Sequence, residues 1–256
     1  MTRPARVLGW LALGFALASG VCVCGLVGFK FGWLSWPVAH FLIYRAAQPL
    51  ALFSVVLGLV AAVMAGVGRQ RSLFLMSLGA SALAIAIYLS VSMQVSADSR
   101  FPPIHDVSTT WTDPPSPDAA LVAERGPKAL PVVSAPMVPP DAAVYGGKPV
   151  AEVNARTCPA AVPVTLTTTP DKAYPLALKA VKDRGLQLVT DDPAHGVIEA
   201  TSTNFWNMKE DVMVRVRAEG AGSRIDIRSI SRQGANDRGH NCRRVTQLRA
   251  ALTPGA

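Results

Sequence analysis

The first 97 residues contain no aspartate or glutamate, although six lysines and arginines are spread along them. All 17 acidic residues follow Ser96, together with 19 basic ones, which leaves a net charge of only +2 for the rest of the chain. The overall formal charge of +8 therefore comes mostly from the acid-free part. Because that part is strongly apolar, the basic balance does not indicate nucleic-acid binding, and we expect no nucleic-acid partner.

Lysine, arginine and histidine, like the acids, are also missing from three apolar runs within this part, namely Val7–Phe29, Pro49–Val67 and Leu73–Ala97. Each run is about as long as the ~20 residues that span a bilayer. The first run has the basic start of a signal peptide, but two further runs follow it, so we interpret it as an uncleaved helix. Transporters and proton relays usually need ionisable groups inside the membrane. Residues 1–97 are therefore predicted to be a three-helix transmembrane anchor.

Basic residues flank the three runs unevenly. Four of them lie on the side where the chain begins: Arg3, Arg6, Arg69 and Arg71. Two more, Lys30 and Arg45, border the loop Phe31–Gln48 on the other side, whose aromatic residues suit the membrane interface. The positive-inside rule favours a cytoplasmic N-terminus. We predict a multi-pass protein of the bacterial inner (plasma) membrane with a periplasmic C-terminal domain, and the lipid bilayer is its first expected partner.

Cysteine is scarce, with four residues in the chain. Cys22 and Cys24 lie in the first apolar run without further metal ligands nearby, so we interpret them as small apolar residues of a helix. Cys158 and Cys242 lie outside the apolar runs and could pair if this part faces an oxidising compartment. An unpaired Cys242 in the core, with Cys158 in a linker, is the alternative. We expect no metal and no cofactor.

Residues 98–168 are predicted to be a proline-rich extended linker. Thirteen of these 71 residues are proline, and the local pattern favours neither regular helix nor a central strand. The beginning of this stretch, Phe101–Pro115, is a possible ordered arm.

Regular patterns return in residues 169–256. A proline at the first helical position after Thr169, and an apolar stripe behind it, predict a helix that ends at Gly185. Leu186–Thr190 and Val197–Ser202 predict one hairpin, and a second hairpin follows around Gly220-Ala221. A last helix should run from Asp237, as its N-cap, to about Leu252. These elements predict a small α+β domain of order α-β-β-β-β-α, with an antiparallel sheet and two helices on one face.

The second hairpin has one apolar and one polar face. A turn at Gly220-Ala221 places Val216 opposite Ile225, and Arg215 opposite Asp226 on the other face. The polar face also carries three more arginines: Arg217, Arg224 and Arg228. We interpret this face either as solvated or as an anion-recognising surface. Just before this hairpin, Phe205 and Trp206 are either core residues or an exposed docking patch, and we expect at least one of them in the core.

The motifs of the common enzyme classes are absent. The sequence contains no G-x-S-x-G, no H-E-x-x-H, no phosphate-binding P-loop and no dinucleotide fingerprint. His195 and His240 are expected at the surface, in a hairpin turn and in the first turn of a helix. A pairing of Ser231 with His240 as nucleophile and base is conceivable, but their spacing does not select it. We therefore assign no catalytic residue.

A long polar pattern follows the second hairpin. It reads Arg228-Ser229-x-Ser231-Arg232-x-Gly234-x-x-Asp237-x-Gly239-x-Asn241-x-x-Arg244. This pattern resembles the closing signature of the domain of unknown function 1499 family. Ile198–Thr201 and the strand at Asp211 also resemble that family, and Pro102–Asp106 resembles a segment of its membrane-anchored bacterial members. The resemblance covers roughly residues 100–115 and 169–252, and it implies no particular reaction because the family has no settled activity.

The polar residues of this signature are the candidate ligand-binding residues: Arg228, Ser231, Arg232, Asp237, Arg238, Asn241 and Arg244. Arginine can grip a carboxylate or phosphate through two hydrogen bonds, and a helix N-terminus offers free N–H groups. The carboxylate of Asp237 opposes a second anion. The alternative is that Asp237, Asn241, Arg228 and Arg244 bond to one another and lock the loop.

Together these observations predict a membrane-anchored envelope protein with a non-enzymatic binding or interaction domain outside the cytoplasm. Its partner would be an anionic small molecule, a lipid headgroup or an envelope protein. The alternative is an uncharacterised hydrolase that uses the polar cluster of Ser231 and His240.

Overall fold

The computed structural model describes residues 2–253, and the chain divides into two compact units, Met1–Asp98 and Ser99–Ala256. The N-terminal unit consists of helices joined by short turns. They are α1 (Thr2–Val23), α2 (Gly25–Lys30), α3 (Trp36–Phe41), a π-helical stretch (Leu42–Ala46), α4 (Ala47–Val67) and α5 (Arg71–Asp98).

Within residues 2–253, three helical runs are long and apolar enough to cross a membrane: Arg3–Lys30, Trp36–Val67 and Arg71–Asp98. The predicted three apolar helices are thus confirmed, and each is longer than its apolar run. The second differs most, because helix begins at Trp36 within the stretch expected as an interfacial loop. Pro37 at the start of α3 favours this beginning, since a proline at the first turn forgoes no helical hydrogen bond.

Small side chains let these helices pack closely. One buried cluster consists of Ala12, Ala16, Ala51, Ala80 and Ala84. A Cβ added to Gly58 would lie 2.3 Å from the Oγ of Ser81, so that position accepts only glycine without a shift. The Ser54 hydroxyl donates to the carbonyl of Ala12 at 2.7 Å. Close van der Waals packing and interhelical hydrogen bonds are what hold helices together in lipid, where apolar burial provides little drive.

The C-terminal unit is an α+β domain, as the sequence predicts. Its elements are β1 (Asp106–Ser108), α6 (Ala119–Arg125), α7 (Val150–Thr157), β2 (Val164–Leu166), α8 (Pro170–Asp183), β3 (Gln187–Asp192), β4 (Val197–Thr203), β5 (Lys209–Glu219), β6 (Gly222–Ser231) and α9 (His240–Leu252). All strand pairs are antiparallel, in the order β1-β6-β5-β4-β3, and β2 also pairs with β6.

The central hairpin has the register expected from the sequence. Val216 pairs with Ile225, and Arg215 pairs with Asp226. Gly220 has a φ of +57°, which the tight turn requires and which glycine adopts without steric cost. Alternation therefore directs Val212, Val214, Val216, Ile225 and Ile227 to one face of the sheet, which we name the helix face.

Helices α8 and α9 cover the helix face. Their apolar stripes form the core with the hairpin residues: Tyr174, Ala177, Val181, Val245, Leu248, Leu252, Val212, Val214, Val216, Ile225 and Ile227. The Tyr174 hydroxyl donates to Asp191 at 2.7 Å, and burial, followed by the nearby Asp191, raises its pKa. This part of the fold follows from the predicted 3.6-residue and two-residue periods.

Residues 99–168, which we name the covering segment, differ from the predicted linker. They supply β1, α6, α7 and β2, so the described part of the chain forms a sheet of six strands where the sequence suggests four. Ile104, Val138 and Val153 of this segment are buried in the domain core. The thirteen prolines of residues 98–168 all lie outside the helices and strands, so they separate short elements and do not prevent them.

A disulfide ties the covering segment to the last helix. Cys158, which follows α7, is bonded to Cys242 in α9 across 84 residues of sequence. The structure therefore shows the pairing, whereas the sequence leaves it open. Cys22 and Cys24 in the N-terminal unit are not in a disulfide.

Candidate functional site

Part of the covering segment lies over the polar face of the central hairpin, which we name the segment face. This face carries charged residues that are nearly inaccessible to solvent, among them Asp211, Asp226, Arg228 and Arg232. Only its rim, with Arg215, Arg217 and Arg224, is partly exposed. The interpretation of this face as solvated is therefore wrong for its centre. A buried charge needs a partner. The covering segment supplies partners to Arg228, Arg232 and Asp211, whereas Asp226 is paired with the rim arginines of the sheet.

Arg228 has no solvent-exposed surface. Its Nε and Nη2 donate to the two carboxylate oxygens of Asp106 at 3.0 and 2.6 Å. Nη1 donates to the carbonyl of Pro115, and Nη2 also donates to that of Val133. The Trp111 ring centroid lies 5.4 Å from the guanidinium carbon, within cation–π range. Every one of these partners belongs to the covering segment, so Arg228 holds that segment on the sheet.

Arg232 anchors the next part of the segment in the same way. Its Nη2 donates to Asp211 at 2.7 Å and to the Thr201 hydroxyl at 2.9 Å, while Nη1 donates to the carbonyl of Glu124. Arg125 of α6 also donates to Asp211. Burial lowers the pKa of Arg125, and the charge of Asp211 opposes that effect. Two guanidinium groups thus share one buried carboxylate.

Asn241 organises a second polar network on the helix face. Its Oδ1 accepts from the Ser229 hydroxyl at 2.7 Å and from Arg244 at 3.2 Å. Its Nδ2 donates to the carbonyl of His105 at 2.9 Å and to Ser231 Oγ at 3.0 Å. Asn241 therefore joins β6, α9 and the residue before β1.

Asp237 caps the last helix from a position just outside it. Its two carboxylate oxygens each accept a backbone N–H, from Gly239 and Asn241, at 2.8 Å. Burial raises the pKa of Asp237, and these two hydrogen bonds oppose the rise. The predicted capping carboxylate is correct, but the N-cap position is wrong. Helix α9 begins at His240, with Gly239 at the N-cap.

The sheet separates the predicted site residues into two groups. Because β6 continues to Ser231, alternation sends Arg228 and Arg232 to the segment face, and Ser231 with its partner Asn241 to the helix face. Arg244 is also on the helix face, where it donates to Glu210 and to Ser229. Arg238 is exposed. The seven residues therefore do not form one cluster, and the buried ones contact protein groups on their own face.

The conceivable pair of Ser231 and His240 is also separated. Ser231 is buried, and its Oγ accepts from Asn241 and lies 3.4 Å from Glu210. His240 is exposed at the first position of α9. The sequence places both residues near the start of the helix, but strand alternation turns Ser231 into the core.

An open groove lies where α8 ends and α9 begins, and the sequence alone did not reveal it. It encloses about 370 Å³ and is lined by Asp183, Arg184, Leu186, Ser202, His240, Arg243, Arg244 and Gln247. The guanidinium of Arg184 donates to the side-chain and backbone oxygens of Gln247 at 3.0 and 2.6 Å. Asp183 is already paired with Lys179 at 2.5 Å. The adjacent pair Arg243 and Arg244 is a sign of a basic site in the sequence. Arg184 is remote from them in the sequence, so its part in the groove could not be predicted.

The sequence also did not predict a pair of neighbouring carboxyl groups, Asp118 and Glu199. The Thr190 hydroxyl lies 2.8 Å from Asp118 Oδ2 and 2.9 Å from Glu199 Oε2. A hydroxyl has one proton to donate, so one of the two carboxyls must be protonated for both contacts to be hydrogen bonds. Burial, followed by the hydrogen bond with Asp118, raises the pKa of Glu199 to about 7. Asp118 is the N-cap of α6, so this proton helps to hold that helix on the segment face.

The turn between β4 and β5 presents two aromatic rings. Phe205 is 73% exposed and Trp206 37% exposed, and neither belongs to the domain core. The expectation that at least one is a core residue is therefore wrong. Their ring centroids are 5.1 Å apart in an edge-to-face arrangement.

The comparisons with known proteins agree with these boundaries. Residues 106–252 match the model of a family described as "Protein of unknown function (DUF1499)". The chain belongs to this family. The DUF1499 match begins at β1 and ends at the last residue of α9. It therefore includes the part of the covering segment between Pro117 and Pro163, which the resemblance seen in the sequence does not cover. No curated protein matches the chain. Within residues 2–253, no group of three or more His, Cys, Asp or Glu side chains could hold a metal ion.

Proposed function

We propose that this DUF1499 protein is a membrane-tethered, non-enzymatic binding protein that holds an anionic group in the groove between α8 and α9. Its three apolar helices would anchor it in a bacterial inner membrane, and its α+β domain would face the periplasm. The distribution of basic residues around the spans supports this orientation. The disulfide between Cys158 and Cys242 supports it too, because such bonds persist in oxidising compartments.

The observation that carries the proposal is the convergence of three arginines on one groove. Arg184, Arg243 and Arg244 all line it, and Asp183, the one carboxylate among the described lining residues, is engaged by Lys179. Arg184 is held by Gln247, and Arg244 by Glu210, so two of the three guanidiniums are positioned before a ligand arrives. Arginine recognises phosphate and carboxylate through paired charge-assisted hydrogen bonds.

Most of the residues that the sequence predicts for ligand binding lie outside the proposed site. Arg228 and Arg232 have the role of scaffold, because both are buried and their hydrogen bonds go to other protein groups. Arg244 is shared between the nominated residues and the groove. Ser231 and His240 have no catalytic role in this proposal, since one is buried and the other exposed.

A calorimetric titration of the purified full chain with inorganic phosphate tests the proposal. We expect saturable binding that weakens about tenfold in Arg243→Ala, the loss of one charge-assisted hydrogen bond. Arg243 is exposed, so its removal should leave the melting temperature unchanged. The matched control is Arg156→Ala, an exposed arginine of α7 outside the groove. Absence of phosphate binding, or equal losses in both variants, would contradict the proposal.

A reporter enzyme fused after Ala256 tests the orientation. Activity of an enzyme that works only in an oxidising, non-cytoplasmic compartment is the expected result. A signal confined to a cytoplasmic reporter would reverse the topology.

A further inference from the structure

The turn Asn204–Met208, which we name the aromatic turn, is built to hold its rings in place. The side-chain Oδ1 of Asn204 accepts the backbone N–H groups of Trp206 and Met208 at 2.9 and 3.1 Å. The Asn204 N–H donates to the Met208 carbonyl at 3.0 Å. Asn207 has a φ of +62°, a conformation that asparagine tolerates better than most residues. Because these hydrogen bonds already order the turn, binding through its two aromatic rings would cost little further conformational entropy.

The aromatic turn and the groove lie at the same end of the domain. Ser202, which lines the groove, is separated from Asn204 by one residue. Pairing of Glu210 with Ser231 brings the end of β6, and thus the start of α9, to that same end of the sheet. An apolar element and a basic element therefore lie at the same end of the domain.

This combination has the chemistry of a membrane interface. Trp and Phe rings favour the headgroup level of a bilayer, and arginines beside them favour anionic lipids. The chain carries its own apolar spans, so a bilayer surface is present at high effective concentration and a weak contact suffices.

We propose that the aromatic turn inserts into the headgroup layer of an anionic bilayer, and that the groove then binds the phosphate of a phospholipid headgroup. This inference rests on the proposed function, because it names a lipid headgroup as the source of the anion. It assigns Phe205 and Trp206 to the lipid contact and Arg184, Arg243 and Arg244 to the headgroup.

Fluorine NMR of the full chain labelled with fluorotryptophan tests the inference. The protein is placed in nanodiscs of phosphatidylcholine alone, or of phosphatidylcholine mixed with phosphatidylglycerol, each containing a lipid with a nitroxide on its headgroup. The variant Trp206→Phe assigns the resonance of Trp206. Two other tryptophans are internal references, Trp10 in an apolar span and Trp111 against the Arg228 guanidinium.

We expect the nitroxide to broaden the Trp206 resonance in the anionic discs and to leave Trp111 sharp. Arg243→Ala should lower the ratio of membrane-bound to unbound domain about fivefold, the factor expected for one basic side chain at an anionic surface. Arg156→Ala should have no such effect.

Two results would overturn the inference. One is a Trp206 resonance as sharp as that of Trp111 in both kinds of disc. The other is equal broadening in both kinds of disc that Arg243→Ala does not change. If either occurs while inorganic phosphate still binds to the groove, the proposed function stands and the lipid assignment falls. If phosphate binding also fails, both fall.

Discussion

The helix face and the segment face of the sheet are both buried, yet they are closed by different means. Val214, Ile225 and Ile227 lie under two regular helices on the helix face. On the segment face, Arg228 and Asp211 lie under an irregular, proline-rich segment that supplies charges and carbonyl oxygens. The comparison shows that a polar strand face does not indicate exposure, because a covering chain can satisfy its charges one by one.

The largest expected loss of stability comes from a substitution at the centre of the segment face. Arg228→Ala leaves the buried carboxylate of Asp106 unpaired, which should cost about 3–5 kcal/mol of unfolding free energy. The double variant Arg228→Met/Asp106→Leu removes both charges and should recover much of that loss. Urea denaturation of the full chain measures both. A single variant as stable as the parent would mean that the covering segment does not depend on this pair.

The disulfide sharpens the comparison because it links the covering segment to α9, one of the two helices that close the helix face. Cys158→Ser/Cys242→Ser should lower the free energy of unfolding by about 2–5 kcal/mol. A reducing agent should lower the stability of the parent by the same amount and have no effect on the double variant. Cys24→Ser, which removes an unpaired cysteine, is the control. Insensitivity of the parent to reduction would contradict the pairing.

The folding stability should depend on pH through Glu199 on the segment face. Its pKa is about 7 in the fold, above the ordinary 4.5, so the folded state keeps a proton that the unfolded chain has lost. The stabilisation by this proton is complete below pH 4.5 and decreases until pH 7. The change amounts to roughly 3 kcal/mol for the shift in pKa. Glu199→Gln cannot ionise, so this decrease should be missing from its profile.

The measurement is the difference in stability between parent and Glu199→Gln, followed from pH 4 to above 7. The pKa shifts of His105 and Asp237 affect both proteins equally, so they cancel in that difference. Burial lowers the pKa of His105, which costs stability as pH falls below 6.5, and burial raises that of Asp237. The control is Glu152→Gln, because Lys148 holds the pKa of Glu152 below 4.5, outside the window. A constant difference across the window would contradict a proton on Glu199.

The smallest expected effect concerns the capping carboxylate on the helix face. Asp237→Ala removes the acceptors of two backbone N–H groups and should cost about 1 kcal/mol. Asp237→Asn retains one such acceptor and should cost less. Chemical denaturation distinguishes them. If Asp237→Ala keeps full stability but loses phosphate binding, the residue belongs to the ligand site and not to the cap.

The helix face could be predicted from the sequence, because its signals are local. The register of Val216 with Ile225 follows from a two-residue glycine turn, and the stripe of α9 follows from its helical period. The family signature was visible for the same reason, since its residues are close together in the chain.

The segment face could not be predicted, because its partners are remote and have no side-chain pattern. Arg228 is bound by the carbonyls of Pro115 and Val133, about a hundred residues upstream, and any residue has a carbonyl. The prolines suggested an extended linker, but they separate the short elements that pack there. The groove was missed for a similar reason, since Arg184 meets Arg243 only after α8 and α9 pack.

Hydrogen exchange of the full chain tests the central claim, that the covering segment is an integral part of the domain. The Thr109 amide donates to Ile227, and the Leu130 amide donates to Arg232. Both amides should exchange with the same opening free energy as the Val214 amide in the middle of the sheet, because one cooperative unit opens as a whole. Fast exchange of Thr109 and Leu130 beside a protected Val214 would show a segment that detaches by itself, and would contradict the account.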